Sequence, residues 1–157
     1  MSLVHIHLLL NHVPVVGALF TLLLFAAALV LRDVVSTKFA LAFTVGLAAV
    51  AVAVYFTGEP AEQAVEHLAG VTRASIHQHE EAAELATIAI GILGALSVLT
   101  LLVFRARRAP RWVAAAGVVG MLAISALMGW TANLGGQIRH TEIQASSAPQ
   151  ADHDMGE

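Results

Sequence analysis

The fold is decided by residues 13–57, VPVVGALFTLLLFAAALVL-RDVVSTK-FALAFTVGLAAVAVAVYFT, written here with breaks around residues 32–38. Residues 13–31 and 39–57 carry no charged side chain, and each is close to the ~20 residues that a helix needs to cross about 30 Å of hydrocarbon. The short polar turn between them allows only an antiparallel return. This stretch therefore predicts two transmembrane helices joined as a hairpin.

The same pattern recurs at residues 82–104 and 112–134, which predicts four spans in all. The chain is 58% hydrophobic and only 12% charged, whereas soluble domains carry roughly 25% charged residues. We therefore predict an all-α integral membrane protein, an antiparallel up-down-up-down four-helix bundle formed by residues 1–143. The tail, residues 144–157, is poor in apolar residues and is predicted to be disordered.

Residues 58–81 are predicted to form a structured cap between the second and third spans. The run PAEQAVEHLAG begins with Pro60, ends with Gly70 and has the pattern of a short amphipathic helix. Ser75, with a glutamine three residues later, has the spacing of a capping box. The third helix is therefore predicted to begin near Ile76.

The basic residues predict the orientation. The two short turns contain six of them, namely Arg32, Lys38, Arg105, Arg107, Arg108 and Arg111. Because positively charged loops stay in the cytoplasm, we expect a multi-pass protein of the inner (cytoplasmic) membrane with both termini periplasmic. Contact with anionic lipid accounts for the basic turn 105–111, so no nucleic-acid partner is expected. The glycine- and alanine-rich helices are compatible with a homo-oligomer.

Histidines gather at the opposite, periplasmic end. Seven of the eight are placed there by the predicted topology: His5, His7, His12, His67, His77, His79 and His140. His12, His79 and His140 come from three different helices at one predicted depth. Two histidines on facing helices are able to hold haem b axially, so this end is the candidate cofactor site.

Within the third helix, His79 is predicted to face the bundle. On a helix His77 and His79 point about 200° apart, so only one of them faces inward. His79 shares its stripe with Ala83 and Ala86, which is typical of a close-packed face, whereas His77 lies beside carboxylates.

Three functions remain open from the residues alone, and no catalytic residue or enzymatic reaction is assigned. The first is a small redox protein passing electrons to a quinone or membrane redox complex; its haem-binding residues are predicted to be His12, His79, His7 and His140, with Arg73 and Arg139 for the propionates. The second is a di-metal or zinc-type site for Fe, Zn or Cu, formed by these four histidines with Glu80 and Glu84. The third is a structural accessory subunit. The absence of cysteine excludes thiolate ligands and c-type haem attachment.

The stretches IHLLLNHVPVVGAL, YFTGEPAEQAVEH and LGGQIRHTEI resemble an uncharacterised bacterial family of four-helix membrane domains. The family motif is a histidine followed five residues later by His-x-Pro, matched here by His7, His12 and Pro14; Val13 stands where an aromatic residue is usual. His79 and Gly135-Gly136 match the later motifs. Because such domains are often linked to Rieske-type modules, the resemblance implies a membrane redox role, although this chain carries no such module.

Overall fold

The computed structural model describes residues 3–65 and 71–139, and all of its regular structure is helical. The helices are α1 (Leu3–Leu10), α2 (His12–Leu31), α3 (Val34–Phe56), α4 (Gly58–Val65), α5 (Arg73–Val103) and α6 (Arg111–Arg139). Four helical segments are long and apolar enough to cross a membrane: His5–Leu31, Val34–Gln63, Arg73–Val103 and Arg111–Ile138. The predicted all-α four-helix membrane bundle is confirmed.

The four long helices form a ring in the order α2, α3, α5, α6. Each packs against its two neighbours, while α3 and α6 barely touch across the diagonal. Short connections make successive long helices antiparallel, so the turns α2–α3 and α5–α6 lie at one end. The helices α1 and α4 pack against each other at the opposite end.

The core combines large apolar side chains with hydroxyls. Phe25, Ile90 and Met121 are fully buried, as are Thr21 and Thr44. The two threonine hydroxyls donate to the carbonyl oxygens four residues earlier, at 2.6 and 2.9 Å. This intrahelical bond satisfies a hydroxyl that meets no water at that depth.

Glycines set the close approach of the helices. A Cβ at position 94 would lie 2.6 Å from the Cβ of Ala48, and one at position 117 would overlap the ring of Phe25. Small residues at such contacts let membrane helices pack closely, which compensates for the weak hydrophobic drive between helices in lipid.

The break between α1 and α2 falls at Asn11. Pro14, in the first turn of α2, has no N–H to donate to the carbonyl of Leu10, and the helix is interrupted one residue after Leu10. The backbone N–H of Asn11 still donates to the carbonyl of His7 at 2.8 Å, so the two segments remain joined.

The third long helix begins earlier than predicted. Thr72 is the N-cap of α5: its backbone is extended and its hydroxyl accepts from the N–H of Ser75 at 3.1 Å. Ser75, the predicted cap, lies inside the first turn. Both residue types cap helices, and the extended backbone of Thr72 decides between them. The predicted closure of the cap helix at Gly70 and the tail 144–157 fall outside the described residues.

The α2–α3 turn is held by Asp33. Its carboxylate, the N-cap of α3, accepts from the hydroxyl and the N–H of Ser36 at 2.6 and 2.7 Å, and from the N–H of Val35 at 3.3 Å. The hydroxyl bond from Ser36, followed by the backbone bond, holds the pKa of Asp33 below its ordinary value. The preceding Arg32 has φ 55°, a left-handed conformation that costs a side-chain-bearing residue about 1 kcal/mol.

The Asp33 cap makes stability depend on pH. Because its folded pKa is depressed, the ionised cap stabilises the protein above the ordinary aspartate pKa, and this contribution is lost as the pH falls through the lower folded pKa. The unfolding temperature in detergent, followed by circular dichroism, should therefore fall on acidification. Asp33→Asn keeps a capping oxygen that does not titrate, so its unfolding temperature should fall less. Equal losses in the two proteins would contradict this assignment.

Candidate functional site at the histidine end

Trp130 indicates where the histidine end lies relative to the membrane. Trp130 and Trp112, both on α6, are 52% and 65% exposed. They are separated by about 27 Å along the helix at ~1.5 Å per residue, close to the hydrocarbon thickness, and tryptophans gather at the two membrane interfaces. His79 contacts Thr131, next to Trp130. The candidate site therefore lies at one membrane interface.

His79 joins α5 to α6. The imidazole is partly buried, and its Nδ1 lies 3.0 Å from the carbonyl oxygen of Thr131. His77, two residues earlier, is 68% exposed and pairs with Glu81 at 3.5 Å. The prediction that His79 faces the bundle and His77 faces solvent is confirmed.

Gly135 makes room for this contact. It lies four residues after Thr131, on the side of the helix to which the Thr131 carbonyl points. A Cβ at position 135 would lie 3.0 Å from Cε1 of His79. The missing side chain thus lets the His79 ring reach the Thr131 carbonyl oxygen. That oxygen has two lone pairs, so it can accept from the ring in addition to its helical hydrogen bond.

His7 makes a similar contact with the end of α3. Its Nδ1 lies 3.1 Å from the Thr57 hydroxyl and 3.3 Å from the Val54 carbonyl oxygen. The Thr57 hydroxyl itself donates to the Val54 carbonyl at 2.7 Å, so its lone pairs are available to the ring. Gly58, four residues after Val54, is again the glycine beside the imidazole, with 3.7 Å between its Cβ position and Cε1 of His7.

These partners determine where the ring protons lie. A carbonyl oxygen only accepts, so Nδ1 of His7 and of His79 must carry the hydrogen that is donated. In a neutral imidazole the other nitrogen, Nε2, then holds a lone pair. A histidine whose Nδ1–H is tied to a carbonyl is oriented to bind a metal or accept a proton through Nε2.

His12, predicted to be the partner of His79, is the first residue of α2 and its side chain is exposed. The two histidines whose rings contact helical carbonyls at this end of the bundle are His7 and His79. The reason is that α1 packs against α4, which directly follows α3, and this brings the His7 ring to Val54 and Thr57. No local sequence pattern encodes this contact.

The remaining predicted residues lie around this pair. Glu80 and Glu84 are exposed on α5. Arg73, at the start of α5, lines with Glu62 and His77 an open groove of about 370 Å³. Arg139 is the last residue of α6, and only its backbone is described; His140 falls outside the described residues.

Within residues 3–65 and 71–139, no three His, Asp or Glu side chains come together as a metal-binding group. The predicted four-histidine set with Glu80 and Glu84 is thus not assembled by this part of the chain. A pair of imidazoles is what it provides.

The partners of the histidines were not anticipated from the sequence. Two of the three acceptors, at Val54 and Thr131, are backbone carbonyls, which leave no trace in residue identity. One sequence feature does point to a close contact. Gly135 belongs to the Gly-Gly motif of the family resemblance, and glycine permits a close approach of another group.

Comparison with protein-family models, with curated proteins and with solved structures finds no match to this chain. The resemblance described above therefore stays a prediction, and the function must be argued from the site.

The histidine contacts predict an unusual protonation pattern. Nitrogen NMR of the histidine-labelled protein at mildly alkaline pH should show His7 and His79 as Nδ1–H tautomers. Gly135→Ala should shift the His79 signals and weaken this preference, because the new Cβ crowds the ring. Gly136→Ala is the matched control, since a Cβ there meets no atom within 4 Å. An Nε2–H tautomer at His79, or equal effects of the two alanines, would contradict the geometry.

Proposed function

We propose that this chain is a small membrane redox protein in which His7 and His79 bind haem b, or another metal, and that it passes electrons to a quinone or a protein partner. The observation that carries the proposal is the pair of imidazoles at one interface, each with Nδ1 tied to a helical carbonyl and Nε2 left with a lone pair. A bound haem would supply reversible one-electron chemistry.

The residues present fit such a group. Histidine is a common haem ligand, and two imidazoles from different helices are available to hold the group. Carbonyl bonds to Nδ1 are the usual support of metal-binding histidines, because they fix the ring and raise its basicity. The side-chain oxygen of Asn11, one turn from His7, is buried without a hydrogen-bond partner among the described residues. Arg73 and Arg139 remain the proposed partners of the propionates.

A di-metal or zinc-type site has less support. Such a site needs three or more ligands, and within the described ranges no three candidate ligands come together. His140, outside those ranges, would have to join the pair.

A structural accessory subunit is the second candidate, because the same contacts fasten helices. His7 ties α1 to the end of α3, and His79 ties α5 to α6. Such interhelical bonds contribute about 0.6 kcal/mol each in membrane proteins. In a structural subunit, the Nε2 atoms of His7 and His79 would not need to bind a ligand.

The two functions predict different effects when His7 or His79 is substituted. For the redox protein, the reduced-minus-oxidised visible spectrum of the purified protein should show b-type haem bands. His7→Ala and His79→Ala should each lower the haem content by about tenfold or more, since even loss of an outer hydrogen-bond partner costs ~10-fold in metal affinity. His77→Ala and His12→Ala are the matched controls, because both side chains are exposed.

His79→Gln separates the alternatives, since an amide still donates a hydrogen bond but binds haem poorly. Loss of the haem bands in a variant that stays helical, with an unfolding temperature equal to that of the wild-type protein freed of haem, supports the redox function. The structural function would be favoured instead if the protein, expressed with haem supplied, contained neither haem nor metal. His79→Ala would then destabilise the protein, whereas His79→Gln would not.

We also propose that the protein lies in the inner membrane with its basic turns in the cytoplasm and the histidine end in the periplasm. The support is the distribution of arginine and lysine between the two ends.

Because the chain lacks cysteine, single cysteines report this orientation without background. Ala74→Cys and Ala106→Cys place exposed thiols at opposite ends. In intact cells a membrane-impermeant maleimide should label the first, and the second only after permeabilisation. The reverse pattern would place the histidine end in the cytoplasm.

A further inference from the structure

The end of the bundle opposite the histidines carries a dense positive charge. The turns α2–α3 and α5–α6 meet there and contribute six cationic residues: Arg32, Lys38, Arg105, Arg107, Arg108 and Arg111. We call this set the basic end. All five arginines are exposed, and each of the four long helices has at least one of the six within two residues of its end here.

The one acidic residue in these turns, Asp33, balances only one of the six positive charges. Its two carboxylate oxygens accept hydrogen bonds from its own helix, through Ser36 and the N–H of Val35. The ammonium of Lys38 donates to the carbonyl of Arg105 at 3.0 Å, a neutral partner that leaves its charge uncompensated.

Exposed apolar side chains lie directly beside these cations. Leu31 and Val35 flank the first turn and are 69% and 74% exposed; Val103 and Trp112 flank the second and are 68% and 65% exposed. A soluble acidic partner would meet only the charges. An amphiphile would meet both features, with its phosphate on the guanidinium groups and its acyl chains along the apolar side chains.

We propose that the basic end binds the headgroup of an anionic phospholipid, with its phosphate between the two turns. Arginine suits this ligand because its planar guanidinium donates two parallel hydrogen bonds to a phosphate. Each basic residue close to the membrane surface strengthens such binding by about fivefold, and the effect is screened by salt. The proposal is independent of whether His7 and His79 hold a cofactor.

The two tryptophans allow a direct test, since one lies at each end. Trp130→Phe leaves Trp112 as reporter of the basic end, and Trp112→Phe leaves Trp130 as reporter of the histidine end. The full chain is reconstituted in phosphatidylcholine vesicles containing an equal fraction of brominated phosphatidylglycerol or brominated phosphatidylcholine, and fluorescence quenching is compared.

We expect brominated phosphatidylglycerol to quench Trp112 several-fold more strongly than brominated phosphatidylcholine does. This preference for the anionic lipid should fall at high salt. Trp130 should be quenched equally by the two lipids. In the Trp130→Phe background, Arg107→Gln combined with Arg108→Gln should lower the preference at Trp112 by about fivefold or more. Both side chains are exposed, so the fold should persist.

Arg32→Gly separates lipid binding from folding. Glycine adopts the left-handed backbone of position 32 without strain, so the unfolding temperature should be kept or raised while the preference falls. Equal quenching by the two lipids at Trp112, or a preference that survives all three arginine substitutions, would overturn the proposal.

Discussion

Every hydrogen-bonding group within the bilayer must find its partner inside the protein, because no water is available there. The fold follows from this constraint. The backbone is satisfied within four long helices, and the core hydroxyls of Thr21, Thr44 and Ser97 donate to carbonyls of their own helices. The buried hydroxyl of Ser125 has no partner among the described residues. In the part of the chain that the structure describes, polar side chains link one helix to another near the ends of the bundle. The imidazoles of His7 and His79 are the principal links, and the site is therefore a product of the same constraint that formed the bundle.

The two histidine contacts share one local design. In each, Nδ1–H meets the carbonyl of a residue that precedes a glycine by four positions, Val54 before Gly58 and Thr131 before Gly135. At Gly135 the missing side chain makes room for the ring, whereas a Cβ at position 58 would make an ordinary contact with His7. In both contacts the carbonyl fixes the ring, and rigid support of this kind is what a binding site requires of its ligands.

The sequence predicted the bundle well because its signal is composition over long segments: apolar stretches and short basic turns suffice. It also distinguished His79 from His77, since the faces of one helix follow from spacing alone. It placed the helix start at Ser75 rather than Thr72, where two good caps lie three residues apart. It named both His7 and His12 as candidate ligands but gave no sign of the acceptors of His7. These are a main-chain oxygen and the hydroxyl of Thr57, which lies 50 residues away in sequence and is reached through tertiary packing.

The length of α5 has a consequence for whatever the protein meets. At ~1.5 Å per residue its 31 residues extend about 46 Å, well beyond the ~30 Å of hydrocarbon. The first turns of α5 therefore extend beyond the hydrocarbon, and His79 lies near the boundary between the two phases. A hydrophobic molecule diffusing sideways in the bilayer and a water-soluble molecule arriving from above would approach this residue from perpendicular directions. Neither would need to leave its own solvent.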